Sequence, residues 1–291
     1  MANAADISFV HLGITIDHLQ NSISIFGFRI AFYGIIIGIG ILAGLWVAIR
    51  DAERRGQDPD IYMDFALYAI IFSIIGARMY YVIFDWGNYK DDLMQIFNLR
   101  AGGLAIYGGV IGAVVTLTIY TAVKKLSFLS LADTGCLGLV TGQIIGRWGN
   151  FFNCEAFGGY TDSLFAMRIR RALVNANMIS KELVNHLIVK DGVEFIQVHP
   201  TFLYESVWNL GLLIFMLWYR RRKRFDGEML LIYLFGYGVG RAWIEGLRTD
   251  QLIFFNTGIP VSQALSVILA GASALVFLCK QSQIRKKAKE N

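Results

Sequence analysis

The chain has 291 residues, 55% of them hydrophobic and 17% charged, with a net charge of +5 and a mean hydropathy of +0.50. Soluble globular domains carry about 25% charged residues, so the composition excludes that class and marks a polytopic membrane protein. Thirty glycines against 3 prolines suit helices that approach closely in lipid, where small residues let backbones pack.

The N-terminus, Met1-Ala2-Asn3-Ala4-Ala5-Asp6, has no basic segment before an apolar run, so the first span is expected to act as its own insertion signal. The stretch before that span, with His11, Asp17 and His18, is expected to form a short interfacial helix. A crossing helix needs about 20 apolar residues, and about seven stretches qualify: 30–48, 62–84, 104–123, 128–145, 201–219, 228–244 and 259–278.

Basic residues follow every second stretch: Arg50, Arg54 and Arg55, then Lys124 and Lys125, then Arg220 to Arg224, then Lys280, Arg285, Lys286, Lys287 and Lys289. The positive-inside rule then places the N-terminus outside and the C-terminus inside. The expected fold is an all-α polytopic membrane protein with a small extracytoplasmic head. Residues 1–147 hold the first four spans, 148–199 the head, and 200–291 the last three spans with a basic cytoplasmic tail. Within the head, residues 178–189 have helical spacing of apolar positions. No internal repeat is visible, which disfavours transporters built from repeats.

The chemistry concentrates at the outer ends of the spans. Gly146-Arg147-Trp148-Gly149-Asn150-Phe151-Phe152-Asn153-Cys154-Glu155 follows about twenty mostly apolar residues. An arginine at mid-bilayer costs about 2.5–3.5 kcal/mol on insertion scales, less near the interface, so Arg147 needs an acidic partner or an anionic ligand. Tyr33 and Arg29 begin the first span, Tyr107-Gly108-Gly109 the third, and His199-Pro200-Thr201-Phe202-Leu203-Tyr204-Glu205 the fifth. Arg78 lies in the outer half of the second span, where Asp85 or Glu205 would be an ionic partner. Tyr237, Arg241 and Glu245 are spaced by four and share one helix face.

Singly, each of these residues suits a structural pair or an interfacial belt. Together they suggest a common anion site. Guanidinium binds phosphate through paired hydrogen bonds and keeps its charge, so a lipid phosphate is the expected ligand. A reaction centre, a lipid or small-anion transporter and a lipid-binding scaffold all remain open on these grounds. The three cysteines show no CxxC or metal spacing. Cys136 and Cys279 read as small core residues, and Cys154 as structural.

Four segments resemble, in order, those of the prolipoprotein diacylglyceryl transferases: Leu104 to Gly109, the Arg147 segment (GRxGNFxNxE), His199 to Glu205 (HPxxLYE) and Gly236 to Glu245 (GYGxxRxxxE). The resemblance covers nearly the whole chain. It implies transfer of the sn-1,2-diacylglyceryl group of phosphatidylglycerol to the lipobox cysteine of a prolipoprotein signal peptide, in the bacterial cytoplasmic (inner) membrane, with the active site near the extracytoplasmic face. It implies no metal and no cofactor, membrane lipids as partners, and no nucleic acid.

By the same resemblance Arg147 and Arg241 stabilise the departing phosphate, Asn150 and Glu155 order the headgroup, and Glu245 orients Arg241. Tyr33 and Tyr237 donate to the headgroup or shape its pocket, alongside Gly108. Many relatives have histidine where Tyr107 stands. A phenol with a pKa near 10 is a poor base at neutral pH. Tyr107 as tyrosinate, a base elsewhere such as His199, and no dedicated base all stay open. Capping the fifth helix with Pro200 is the other role for His199.

Overall fold

The computed structural model describes residues 6–99, 102–254 and 258–290. The chain divides into two compact units, 1–44 with 137–291, and 45–136. Helices dominate: α1 (Phe32–Arg54), α2 (Pro59–Phe84), α3 (Ile106–Lys124), α4 (Phe128–Phe152), a short α5 (Lys181–Asn185), α6 (Thr201–Tyr219), α7 (Glu228–Glu245) and α8 (Val261–Glu290).

Among the described residues six helices are long and apolar enough to cross a membrane, and the chain is a multi-pass membrane protein. Of the seven expected stretches, the one absent from that set is α7. It is a helix of 18 residues, but Glu228, Arg241 and Glu245 lower its hydropathy.

The first unit contains the N-terminal part of α1, most of α4, and α6, α7 and α8. Small residues set its crossings. A methyl on Gly44 would sit 2.5 Å from the Gly138 carbonyl, and one on Gly238 would sit 2.7 Å from that of Ser266.

The same unit carries an antiparallel sheet of five strands in the order β2-β1-β5-β7-β6. These are β1 (Ile7–Phe9), β2 (Ile14–Ile16), β5 (Met167–Arg170), β6 (Ile188–Lys190) and β7 (Val193–Val198). The segment before the first span is therefore not an interfacial helix. Ile7 pairs with Ile169 and Phe9 with Met167. Alternation explains the choice: Ile7 and Phe9 are buried while Ser8 is not, a period of two that fits a strand. Their apolar faces join Ile169, Ile196, Val198 and Phe151 in one core. Strands β3 (Ser22–Ile25) and β4 (Phe28–Ala31) form a separate hairpin leading into α1.

The expected helix over 178–189 is mostly absent. Only Lys181–Asn185 is α-helical, capped by the Ser180 side chain accepting from Leu183 N at 3.3 Å. Val189 and its neighbours leave for β6, where β-branched residues fit the pleat.

In the second unit α2 packs on α3 through Gly76, Gly108 and Gly112; a methyl on Gly76 would lie 2.5 Å from the Gly108 carbonyl. Asp58 caps α2, accepting from Asp60 N at 3.0 Å, with Pro59 in the first turn. Arg78, 5% exposed, makes no ion pair among the described residues. It donates to the carbonyls of Gln95, Ile96, Asn98, Gly102 and Gly103 at 2.5–3.3 Å, and so ties the 85–103 loop to α2.

Candidate active site

Helix α4 continues past Ile145 to Phe152, so Arg147 and Asn150 project from its last two turns. What allows a helical arginine there is Glu205, near the start of α6. Its carboxylate lies 2.5 Å from Arg147 Nη2 and 3.0 Å from Arg241 Nη1. Its side chain is only 3% exposed. Unpaired, so deep a charge would cost several kcal/mol; between two guanidiniums it is neutralised on both sides.

The face of α7 predicted from its spacing is realised. Arg241 Nη2 lies 2.5 Å from Glu245, and Tyr237, one turn earlier, lies beside Arg147. The line of alternating charges extends to Arg248, 4.0 Å from Glu245 and bidentate on Asp250 at 2.9 and 2.7 Å. Burial alone would raise the Asp250 pKa, but the Arg248 hydrogen bonds hold it below the ordinary carboxylate value. Burial likewise works to lower the pKa of Arg248, and Asp250 carries it above the usual value.

Beyond α4 the chain turns sharply. Cys154 (φ 49°) and Ala156 (φ 56°) both take the left-handed conformation, which costs energy in non-glycine residues. This turn brings Glu155 back onto the helix end, where its carboxylate accepts from Asn150 Nδ2 at 3.0 Å and Asn153 Nδ2 at 3.3 Å. Tyr33 leans on the same turn of α4: a methyl on Gly149 would lie 2.7 Å from its ring. Cys154 is buried, and burial, followed by Asp6 and Glu155, raises its thiol pKa to about 11.

His199 stands between the sheet and α6. Its Nδ1 is 3.3 Å from the Tyr204 hydroxyl, and its backbone is held by Gly158 N and Gly159 O at 3.0 and 3.1 Å. Burial lowers its pKa, with Glu182 opposing, so it is neutral at pH 7. Pro200 takes the N-cap position of α6.

The first unit thus gathers Arg147, Asn150, Glu155, Tyr33, Tyr237, Arg241, Glu245 and His199. Tyr107 and Gly108 belong to the second unit, at the start of α3. The Tyr107 ring lies 6.5 Å from that of Tyr80, and Gly108 is pressed against Gly76 and Tyr80, with no room for a methyl.

A guanidinium has five N–H donors, and the carboxylates occupy only part of them. The arrangement can therefore present fixed, unspent donors to an anion without a net buried charge.

The family model described as prolipoprotein diacylglyceryl transferase matches residues 20–279. The chain belongs to the prolipoprotein diacylglyceryl transferase family. Relatives named phosphatidylglycerol–prolipoprotein diacylglyceryl transferase include that of Clostridioides difficile (strain 630), 39% identical over 260 residues, which span 89% of this chain and 95% of that protein. That of Bacillus mycoides is 40% identical over 264 residues, spanning 91% and 93%; that of Geobacillus kaustophilus is 41% identical over 260, spanning 89% and 92%.

For this diacylglyceryl transferase family member, Arg248 is the residue that the sequence does not single out, and Glu205, expected as a partner for Arg78, pairs instead with Arg147 and Arg241. Glu205 carries a signal in retrospect: it is an ionisable residue within an apolar span, and such a residue calls for a partner. Arg248 lies three residues after Glu245, on the continuation of the same face.

Proposed function

We propose that the chain transfers the sn-1,2-diacylglyceryl group of phosphatidylglycerol to the lipobox cysteine thiol of a prolipoprotein signal peptide. A cysteine thiolate attacks the sn-3 carbon of the lipid. A sulfur–carbon bond forms, the carbon–oxygen bond breaks, and the electron pair leaves on glycerol phosphate. The observation that carries this reading is the Arg147–Glu205–Arg241 bridge. Negative charge grows on the departing phosphate, and preorganised cationic donors stabilise charge where it develops.

In this reading Arg147 and Arg241 bind the phosphate, Tyr237 supports Arg147, and Glu245 fixes Arg241. Asn150, Glu155 and Tyr33 shape the headgroup side. The thiol, with an ordinary pKa of about 8.5, loses its proton to Tyr107, to neutral His199 or to solvent. The distribution of basic residues supports a bacterial cytoplasmic (inner) membrane protein with its N-terminus and site outside and its C-terminus inside. Residues 1–147 and 200–291 then hold the membrane spans, and 148–199, joined by the N-terminal strands β1 and β2, is the head that meets the peptide.

The test mixes purified protein with phosphatidylglycerol and a lipobox peptide, and follows glycerol phosphate release and peptide mass. The wild type is expected to add a diacylglyceryl mass, while Arg147→Ala and Arg241→Ala add none. Inactive Tyr107→Phe makes the phenol the base; active Tyr107→Phe moves that role to His199 or solvent. No transfer by folded wild type overturns the proposal and favours lipid or anion transport.

A further inference from the structure

One turn inward from the arginines lies a second polar layer with no charge in it. Helix α4 runs outward while α6 runs inward, so their pairing can be read off. Arg147 meets Glu205, and the Ser206 hydroxyl donates to the Ile144 carbonyl at 2.9 Å. Residues i and i+4 share a helix face. Gln143 therefore lies beneath Arg147, and Asn209 beneath Glu205. On α7, Tyr233 lies beneath Tyr237, the two rings stacked at 5.6 Å. Gln143 Nε2 donates to the Tyr233 hydroxyl at 2.8 Å, which joins α4 and α7 at this level.

The amides of this layer are incompletely used. Asn209 is fully buried, at 0% exposure, and neither its Oδ1 nor its Nδ2 has a hydrogen-bond partner among the described residues. Gln143 Oε1 is likewise buried without one. Buried carboxamides left unsatisfied are costly, about 1–3 kcal/mol per group, and native interiors rarely retain them. The unspent set is two acceptors and one NH2 donor, all neutral. A phosphate cannot satisfy the acceptors and an ester carbonyl cannot donate. A hydroxyl does both.

We infer that Asn209 and Gln143 form a hydroxyl-binding subsite for the headgroup glycerol of the donor lipid. This inference rests on the proposed function and specifies which group of the lipid the site reads beyond its phosphate. The step from the Arg147 layer to the Asn209 layer is one helical turn, about 5.4 Å. A glycerol unit extending from a phosphate held by Arg147 and Arg241 covers a similar distance. The subsite makes the protein selective for a polyol headgroup, since a polar pocket left unpaired rejects a ligand that lacks the matching hydroxyl. A bound water could supply the same chemistry, and the experiment separates the two sources.

Retention of lipid by the purified protein would be measured by native mass spectrometry for phosphatidylglycerol and phosphatidylpropanol of identical acyl chains. Wild type is expected to retain phosphatidylglycerol about tenfold better, the worth of one or two neutral hydrogen bonds. Asn209→Leu and Gln143→Met are each expected to bring that ratio toward one. Equal retention of the two lipids by wild type, or an unchanged ratio in both variants, assigns the amides to water and overturns the inference. If Asn209→Leu does not fold, the Gln143→Met ratio decides alone. Transfer to a lipobox peptide would be followed in parallel. Selective retention without transfer would sink the proposed reaction and leave the subsite standing; transfer without headgroup preference would do the reverse.

Discussion

Glu205 holds Arg147 at 2.5 Å from a position 58 residues further along the chain, and its second oxygen holds Arg241 at 3.0 Å. The carboxylate is the hinge of the site: it determines where two cationic forks point. Glu205→Gln keeps the volume and removes the charge. It is expected to lower diacylglyceryl transfer by about 10²-fold or more, the scale of losing a preorganised charge-stabilising group. Glu205→Asp should recover part of that loss. Transfer rates for the three proteins, alongside their melting temperatures in detergent, check this. Wild-type rates in Glu205→Gln would show that the bridge is dispensable.

Gly108 lies in a segment that resembles the family's membrane-embedded motif, yet its surroundings are helix backbone. A methyl there would run into the Gly76 carbonyl and the Tyr80 side chain. Gly108→Ala is expected to destabilise the protein by about 1–3 kcal/mol through overpacking, seen as a lower midpoint of thermal unfolding. A variant that is inactive but melts like wild type would instead place Gly108 in direct contact with substrate.

Cys154 sits inside the arginine motif of a protein proposed to alkylate thiols. Its pKa of about 11 keeps it protonated at neutral pH, and only the thiolate is nucleophilic. Iodoacetamide at pH 7.5 should label Cys154 at least on the order of a hundredfold more slowly in the folded protein than after denaturation. Peptide mapping by mass spectrometry reads this directly. Rapid labelling in the folded state would contradict the burial described.

Asp250 links acidity to stability. Its folded pKa lies below the ordinary value because Arg248 binds it on both oxygens. A depressed carboxylate contributes stability above its unfolded pKa, about 3.9, and that contribution is lost as pH falls through the folded value. Asp250→Asn should therefore be less stable than wild type at pH 7, by about 1–2 kcal/mol for charged hydrogen bonds. The gap should close progressively below about pH 4. Melting curves from pH 3 to 7 test both statements. A gap that persisted unchanged at pH 3 would mean that packing, not charge, accounts for the effect.

The helices were legible because each is a run of apolar residues whose length the bilayer dictates. The Tyr237–Arg241–Glu245 face was legible because its spacing is local. What escaped was long-range. Strands β1 and β2 have three residues each, so the alternation in Ile7, Ser8 and Phe9 is too brief to stand out in the sequence, and β1 pairs with β5, more than 150 residues later. Residues 178–189 have helical spacing but yield one short helix, since strand pairing with β7 claims Ile188–Lys190. Helix α4 runs seven residues past Ile145, because the charge of Arg147 marks a span end only when its partner is out of view. The helix continues because Glu205, distant in sequence, removes the charge penalty. Arg78 escaped for another reason: its partners are backbone carbonyls, which composition does not display.

The pairing of β1 with β5 also dictates an order of assembly. The Asp6 carbonyl accepts from Arg170 N at 2.9 Å, and the Asp6 and Arg170 side chains meet across 164 positions. A ribosome adding about 5–20 residues per second needs on the order of ten seconds to make the intervening chain. Throughout that interval β1 can pair only with β2, and the edge that will take β5 stays open. The sheet can close only after α1 to α4 have been made and β5 to β7 have followed. A nascent chain arrested before residue 167 would carry the short β1–β2 hairpin with one edge unpaired, and its susceptibility to added protease would time the moment of closure.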